Sequence, residues 1–309
     1  MRGVGLLLVF LLGLLSGCHS TGSPSVSPTT APGAVSAAGF PRTVTDARGR
    51  KIMLAAPPRR IVSLAPSETE NLYDLGAGDR IVADTTADDF PAAAKQLPHI
   101  SGNMMDPGVE SIESFNPDLV VAVGSINQRT IAALDKANVP TLVVDPKTVA
   151  DTYQAIDILG RATGTEAKAA MITAQMRARI GAVQVRMAKA AAQPRVLILY
   201  DVNPIYTTGP DSFIDDLIRV AGGRNIVSSP LPGNVLSPEQ VIAAQPDVIL
   251  CEPFLQDKVR QFPGWRDGIP AVRKGAFFSV SDRATLVRPT PRLADGAEEL
   301  ARFLHPELK

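Results

Sequence analysis

Glu110-Ser-Ile-Glu-Ser-Phe-Asn-Pro117-Asp118-Leu-Val-Val121 lies without a gap on Glu239-Gln-Val-Ile-Ala-Ala-Gln-Pro246-Asp247-Val-Ile-Leu250. Each stretch reads as a short helix that runs through Pro-Asp into a run of branched aliphatic residues, the pattern of a buried strand. A second echo pairs Leu72-Tyr-Asp-Leu-Gly-Ala-Gly78-Asp-Arg-Ile-Val82 with Leu217-Ile-Arg-Val-Ala-Gly-Gly223-Arg-Asn-Ile-Val227. Both members are a helix, a glycine stop and a strand start. Two echoes in the same order point to two lobes of like construction.

The rest of the chain fits that frame. Thr43-Val-Thr-Asp46, Gly49 and Lys51-Ile-Met-Leu54 alternate around a turn as a hairpin does. Arg60-Ile-Val-Ser-Leu64 follows as a buried strand, Ser67 to Leu75 as a helix closed by Gly76, and Ile81-Val-Ala83 as the next strand. Such alternation builds α/β lobes with parallel sheets. Thr165 to about Ala192 is rich in Ala, Met, Gln and Arg, with no Pro and only Gly181, so it predicts one long helix. The expected fold is two Rossmann-like α/β lobes, residues 41–160 and 194–309, joined by one long backbone helix over 161–193. A ligand cleft is expected between the lobes, with a stiff connector that limits their movement.

The chain opens with Arg2, an apolar run from Val4 to Leu15, then Ser16-Gly17-Cys18. A positive start, a short hydrophobic core and small residues at the cut describe a secretory signal over residues 1–17. The run falls short of the roughly 20 apolar residues a spanning helix needs. Small residues directly before Cys18 resemble the bacterial lipobox and make Cys18 the candidate lipidation site. Residues 18–40 are mostly Ser, Thr, Pro, Gly and Ala, a composition that predicts a flexible tether.

Loss of residues 1–17 removes only Arg2 from 31 basic and 31 acidic residues, leaving a net charge of −1. No basic run or aromatic-rich basic patch marks a nucleic-acid binder. Besides Cys18 there is only Cys251, which ends the apolar run Asp247-Val-Ile-Leu-Cys251 and reads as a buried strand residue, so no disulfide is expected.

Several motifs then carry a resemblance: Pro58-Arg-Arg-Ile-Val-Ser-Leu-Ala-Pro66, Thr69-Glu70, Leu75-Gly-Ala-Gly-Asp-Arg-Ile-Val82, Asn116-Pro-Asp-Leu-Val120 and Gly222-Gly-Arg-Asn-Ile226. With Ser281-Asp-Arg283 and Arg288-Pro-Thr-Pro-Arg-Leu293 they resemble the periplasmic binding proteins of iron-siderophore and vitamin B12 importers, in order over 43–306. The layout is most similar to the B12-binding branch. The resemblance implies capture of a metal chelate between two lobes and its delivery, chemically unchanged, to an ABC permease and its ATPase. It also implies that a glutamate on each lobe meets permease arginines, and the matching positions are Glu110 and Glu239. Ser237-Pro238-Glu239 reads equally as a helix start, with a cap, a first-turn proline and an acid that favours the dipole.

Loops after strand ends at a lobe interface line such clefts. The ligand-binding candidates are Pro66, Ser67, Asn103, Met104, Gly124, Tyr206, Asp282, Arg283 and Arg288, with Ser125 beside Gly124. Relatives that grip cobalamin flank it with Trp and Tyr, whereas here the comparable loops, Ser101-Gly-Asn-Met-Met-Asp106 and Leu231-Pro-Gly-Asn234, hold no aromatic residue. Met104, Met105 and Leu231 are left to supply apolar contact, and Arg283 and Arg288 suit an anionic siderophore or haem as the alternative ligand.

Three histidines, His19, His99 and His305, never pair at ligand spacing, so a bare metal ion is not the expected cargo. No nucleophile elbow, Walker loop or zinc-protease motif occurs, and neither catalysis nor a cofactor is expected. Asp84, Asp88 and Asp89 read as a solvated loop ahead of Pro91. The chain is expected to act as a monomer. A lipoprotein sensor or adaptor on the same fold is the reading from another functional class.

Overall fold

The repeated Pro-Asp reappears as repeated topology. The computed structural model describes residues 39–210, 212–279, 282 and 284–308. In it β1 (Ile61–Ser63), β2 (Ile81–Ala83), β3 (Leu119–Val123) and β4 (Thr141–Val144) form a parallel sheet in the order β2-β1-β3-β4. A second parallel sheet contains β5 (Arg195–Leu199), β6 (Arg224–Asn225), β7 (Val248–Cys251) and β8 (Phe277–Phe278) in the order β6-β5-β7-β8. Strand for strand, the two orders are the same.

The aligned acids explain how each sheet closes. Asp118 accepts the backbone N–H groups of Arg59 and Arg60 at 2.7 and 2.9 Å, just ahead of β1. Asp247 accepts the backbone N–H of Arg195, the first residue of β5, at 2.9 Å and takes its guanidinium as well. The preceding helices, α2 (Val109–Ser114) and α7 (Pro238–Ala244), are released by residues in the left-handed region, Asn116 at φ 47° and Gln245 at φ 49°. These two residues are aligned in the repeat. A left-handed residue ends the helix, and Pro-Asp then turns the chain into its strand.

Every residue of β3 is buried, as expected of a strand covered on both faces. Among the flanking helices are α1 (Pro66–Asp74), α3 (Gln128–Lys136) and α4 (Val149–Thr163) in the first lobe and α6 (Phe213–Val220) in the second. The connector is α5 (Glu166–Met187), 22 residues and about 33 Å. It is shorter than the 161–193 span read from composition. Residues 161–163 belong to α4, and Gly164, left-handed at φ 75°, separates the two helices. At the other end the helix gives way after Ala188, ahead of Pro194.

The buried stripe Ala169, Ile172, Met176, Ile180, Val183 and Met187 of α5 joins a hydrophobic core that holds Leu119 and Leu159 from one lobe and Val196 and Leu217 from the other. Arg179 further ties α5 to the final long helix α8 (Leu293–Leu304) through Glu298 at 2.9 Å and Asp295 at 2.6 Å. Ala37–Lys309 is one compact unit, so the connector acts as a shared wall of both lobes. Separate cores lie under β3 in the first lobe and around β7 in the second. The second contains Trp265, fully buried and packed on Phe262 with ring centroids 4.4 Å apart. Cys251 is buried there too, and burial pushes its thiol up to about 11. The hairpin pairs Arg42–Thr45 with Lys51–Leu54 in antiparallel register, and Gly49 takes the positive φ its turn needs.

Candidate functional site

In parallel sheets, ligands collect beyond the carboxyl ends of the strands, where loops diverge and backbone groups stay free. β1 ends at Ser63 and the chain enters α1 directly, with Ala65 extended at the N-cap and Pro66 in the first turn. Beyond β1 and β3 lies a cavity of about 340 Å³. From the first lobe Ala65, Pro66, Ser67, Met104, Ser125 and Ile126 line it; from the second half of the chain come Phe213, Val287, Arg288 and Pro289. Its lining is mainly apolar, with two hydroxyls and one guanidinium. That composition suits an organic ligand with a few polar groups.

Four of the candidates, Pro66, Ser67, Met104 and Arg288, therefore meet around one cavity. Gly124 lies just behind the wall, where a Cβ would come 3.1 Å from the Asp145 side chain. Asn103 does not line the cavity. Its side-chain carbonyl accepts the N–H groups of Met105 and Asp106 at 2.9 and 3.0 Å and shapes its own hairpin tip. Tyr206 is exposed on a short strand paired with residues 201 and 235, away from this lining. Asp282 is turned to an ion pair with Arg292. Arg283, Cys18 and nearly all of the expected signal and tether lie outside the described residues.

Phe213, Ile126 and Val287 escaped the sequence reading because nothing in their local pattern distinguishes them from core residues. Glu70 was visible only as part of Thr69-Glu70, yet it organises the site. This carboxylate is fully buried and receives Arg288 at 2.6 Å and Arg292 at 3.0 Å. Asp89 takes the same Arg288 nitrogen at 2.6 Å, and Phe90 lies under the Arg292 guanidinium, 3.9 Å from its centroid. Asn71 adds a hydrogen bond to the Pro289 carbonyl at 3.2 Å. Helix α1 and the 84–90 loop are thus clasped to the 282–292 segment across the cavity edge. Burial works against ionisation of Asp89, but Arg288 outweighs it and holds the carboxyl below its ordinary value.

Of Asp84, Asp88 and Asp89, expected in a solvated loop, only Asp89 is exposed. Asp84 and Asp88 are buried. Asp84 meets His99 Nδ1 at 2.7 Å, while Asp88 accepts the Thr85 backbone N–H at 3.0 Å and its hydroxyl. These bonds fold the loop inward and leave Asp89 to reach Arg288. Burial pushes both inner carboxyls up, and for Asp84 the His99 hydrogen bond opposes the shift. Glu68, in the first turn of α1, is also fully buried, and neither of its oxygens has a hydrogen-bond partner. Burial pushes it up to about 7 against the opposing side chains of Ser67 and Asn71. Among the described residues no group of three metal-ligating side chains assembles.

Glu110 and Glu239 occupy equivalent places, the second residue of α2 and of α7, and both are exposed. Ser237 caps α7 and forms a reciprocal box with Gln240. The backbone N–H at the helix start and the Ser237 hydroxyl hold the Glu239 carboxyl below its ordinary value. Each lobe thereby presents one carboxylate at the mouth of a short helix.

Two like lobes on a shared helix, with a cavity at facing strand ends, define a two-lobed receptor that holds its ligand in the cleft. The chain belongs to the periplasmic binding protein family, whose profile matches residues 61–284. It is similar to the ABC transporter substrate-binding lipoprotein YvrC of Bacillus subtilis, itself uncharacterized, at 31% identity over 87% of each chain. It is 29% identical to the vitamin B12-binding protein of Photorhabdus laumondii, over 82% of this chain and 90% of that one. The crystal structure of the periplasmic vitamin B12 binding protein BtuF of Vibrio cholerae superposes with a TM-score of 0.74 at 26% identity, covering 82% of this chain and 99% of that one. The chain is the exported substrate-binding component of an ABC importer of the B12, siderophore and haem class, and works with a permease and its ATPase. It carries its ligand and is not an enzyme. No helix among the described residues is long and apolar enough to cross a membrane.

Proposed function

We propose that the protein captures a corrinoid of the cobalamin type between its lobes and passes it unchanged to the permease. The observation that carries this reading is the apolar, two-sided cavity formed by Pro66, Ser67, Met104, Ser125, Phe213 and Arg288. The similarity to vitamin B12-binding proteins supports the same ligand. A corrinoid exceeds the cavity, so the edge of its ring enters while the remainder stays at the mouth between the lobes. Phe213, Met104 and Val287 give that edge apolar and polarizable contact in place of tryptophans. Arg288 in the lining favours, as the second reading, an anionic siderophore or haem.

Glu110 and Glu239 then engage two basic pockets of the permease, setting register as well as steering the encounter. Cys18, diacylated, and the tether of residues 18–40 keep a monomeric receptor beside that permease at high effective concentration. Calorimetric titration with cyanocobalamin tests the ligand: micromolar or tighter binding is expected in the parent, and loss of binding in a folded Ser125→Phe variant. Equal binding by that variant, or none by the parent, rejects the reading. Charge reversal at Glu110 and Glu239 together should abolish uptake while ligand affinity stays intact; uptake that survives removes their docking role.

A further inference from the structure

The guanidinium at the cavity is already occupied, and the manner of its occupation bears on which chelate fits. Arg288 lines the cavity, yet one of its nitrogens is shared at 2.6 Å between Glu70, whose side chain is fully buried, and the more exposed Asp89. Arg292 is likewise divided between Glu70 and Asp282. Among the described residues the direct ion pairs of this clasp set three carboxylates against two guanidinia, and Asp74 beside Arg292 and Asp88 beside Arg288 add further negative charge. Lys95, whose charge also acts on Asp89, is exposed and does not line the cavity.

We infer that Glu70 and Asp89 are specificity determinants: by engaging Arg288 they make the cleft favour a chelate without negative charge over one that presents a carboxylate at this edge. An incoming anion meets a guanidinium whose charge is neutralised from behind by Glu70, and it must displace Asp89 to reach the nitrogen at all. Glu70 cannot yield, because removing a buried acid from two guanidinia leaves charge uncompensated in a poorly solvated place. Asp89 can yield, being more than half exposed, but the newcomer then only replaces one carboxylate with another. A neutral amide at the same point pays neither penalty and finds the Ser67 and Ser125 hydroxyls beside it. The inference rests on the corrinoid reading and turns Arg288 from an anion hook into a structural clasp. It favours the first of the two ligand readings.

The test compares cyanocobalamin with its monocarboxylate isomers, in which one peripheral amide is hydrolysed to an acid, so that charge changes on a constant scaffold. At low salt at least one isomer should bind the parent protein about tenfold more weakly than cyanocobalamin, a penalty set by one extra charge at an intermediate dielectric. In Asp89→Asn, and independently in Asp282→Asn, the clasp loses one negative charge, and the ratio of cyanocobalamin affinity to isomer affinity should narrow severalfold. If every isomer binds the parent as tightly as cyanocobalamin, or if neither substitution narrows the gap, the charge filter is wrong. Failure of the corrinoid reading is distinct, because neither cyanocobalamin nor any isomer would then bind.

Discussion

Glu68→Gln is the substitution whose effect follows most directly from burial. In the folded chain this carboxyl is fully buried, and burial, only partly offset by the Ser67 and Asn71 side chains, pushes it up to about 7 from the ordinary 4.5. Because the folded value lies above the unfolded one, the native state keeps the proton longer. Stability is therefore greatest below about pH 4.5 and falls as pH rises through 7, levelling off above it. At about 1.4 kcal/mol per pH unit the loss amounts to about 3 kcal/mol, and the position of Glu68 in the first turn of α1 reduces it by up to about 1 kcal/mol. Glutamine cannot ionise, so relative to the parent the variant should gain about 2–3 kcal/mol between pH 4.5 and pH 8. Urea unfolding across that range, followed by Trp265 fluorescence, measures the difference. Trp265 is the one tryptophan in the chain and is fully buried in the second lobe, so its signal reports unfolding and has a single origin. A parent and variant that run parallel from pH 4.5 to 8 would refute the reasoning, because Glu68 would then be charged and solvated, or bonded, in the folded chain.

Three further outcomes follow from the same geometry. Glu70→Ala should destabilise the fold by about 3–5 kcal/mol, since it leaves Arg288 and Arg292 facing each other without their buried counter-ion; a loss under about 1 kcal/mol in thermal unfolding would make the clasp unimportant. Asp247→Ala should cost about 1.5–3 kcal/mol, and Asp118→Ala less, because Asp247 holds a guanidinium besides a backbone N–H whereas Asp118 is exposed and holds backbone N–H groups; the reverse order in urea unfolding would contradict their assignment. The Cys251 thiol, buried and pushed up to about 11, should react with a soluble disulfide reagent at pH 8 only as fast as the chain opens, and rapid labelling of the native protein would show that the carboxyl end of β7 is accessible.

Topology was readable because it is written twice. The aligned Pro-Asp pairs encode a helix exit, a strand entry and a carboxylate that fastens the neighbouring strand, so two short stretches carry the plan of both sheets. The ends of α5 were less legible: Ala-rich composition extends past both, and helix propensity does not register that Gly164 has already closed α4. The cavity was legible where residues follow a strand end, as Pro66 and Ser67 do. It was obscure where the lining comes from the far side, because Phe213 and Val287 have the same local pattern as any core residue. Asn103 and Asp282 are polar loop residues that instead satisfy their own turn or an arginine nearby. Asp84 and Asp88 depart from the solvated loop expected of them, since their burial depends on His99 and Thr85, partners that spacing alone does not single out.

The central claim is that ligand binds between the lobes and touches both. Hydrogen exchange of the protein with and without cyanocobalamin tests it directly. The account predicts added protection at Ser67 and Ile126 in the first lobe together with Phe213 and Val287 in the second half, and little change around Trp265. Protection confined to one lobe, or centred on the Trp265 core, would contradict it.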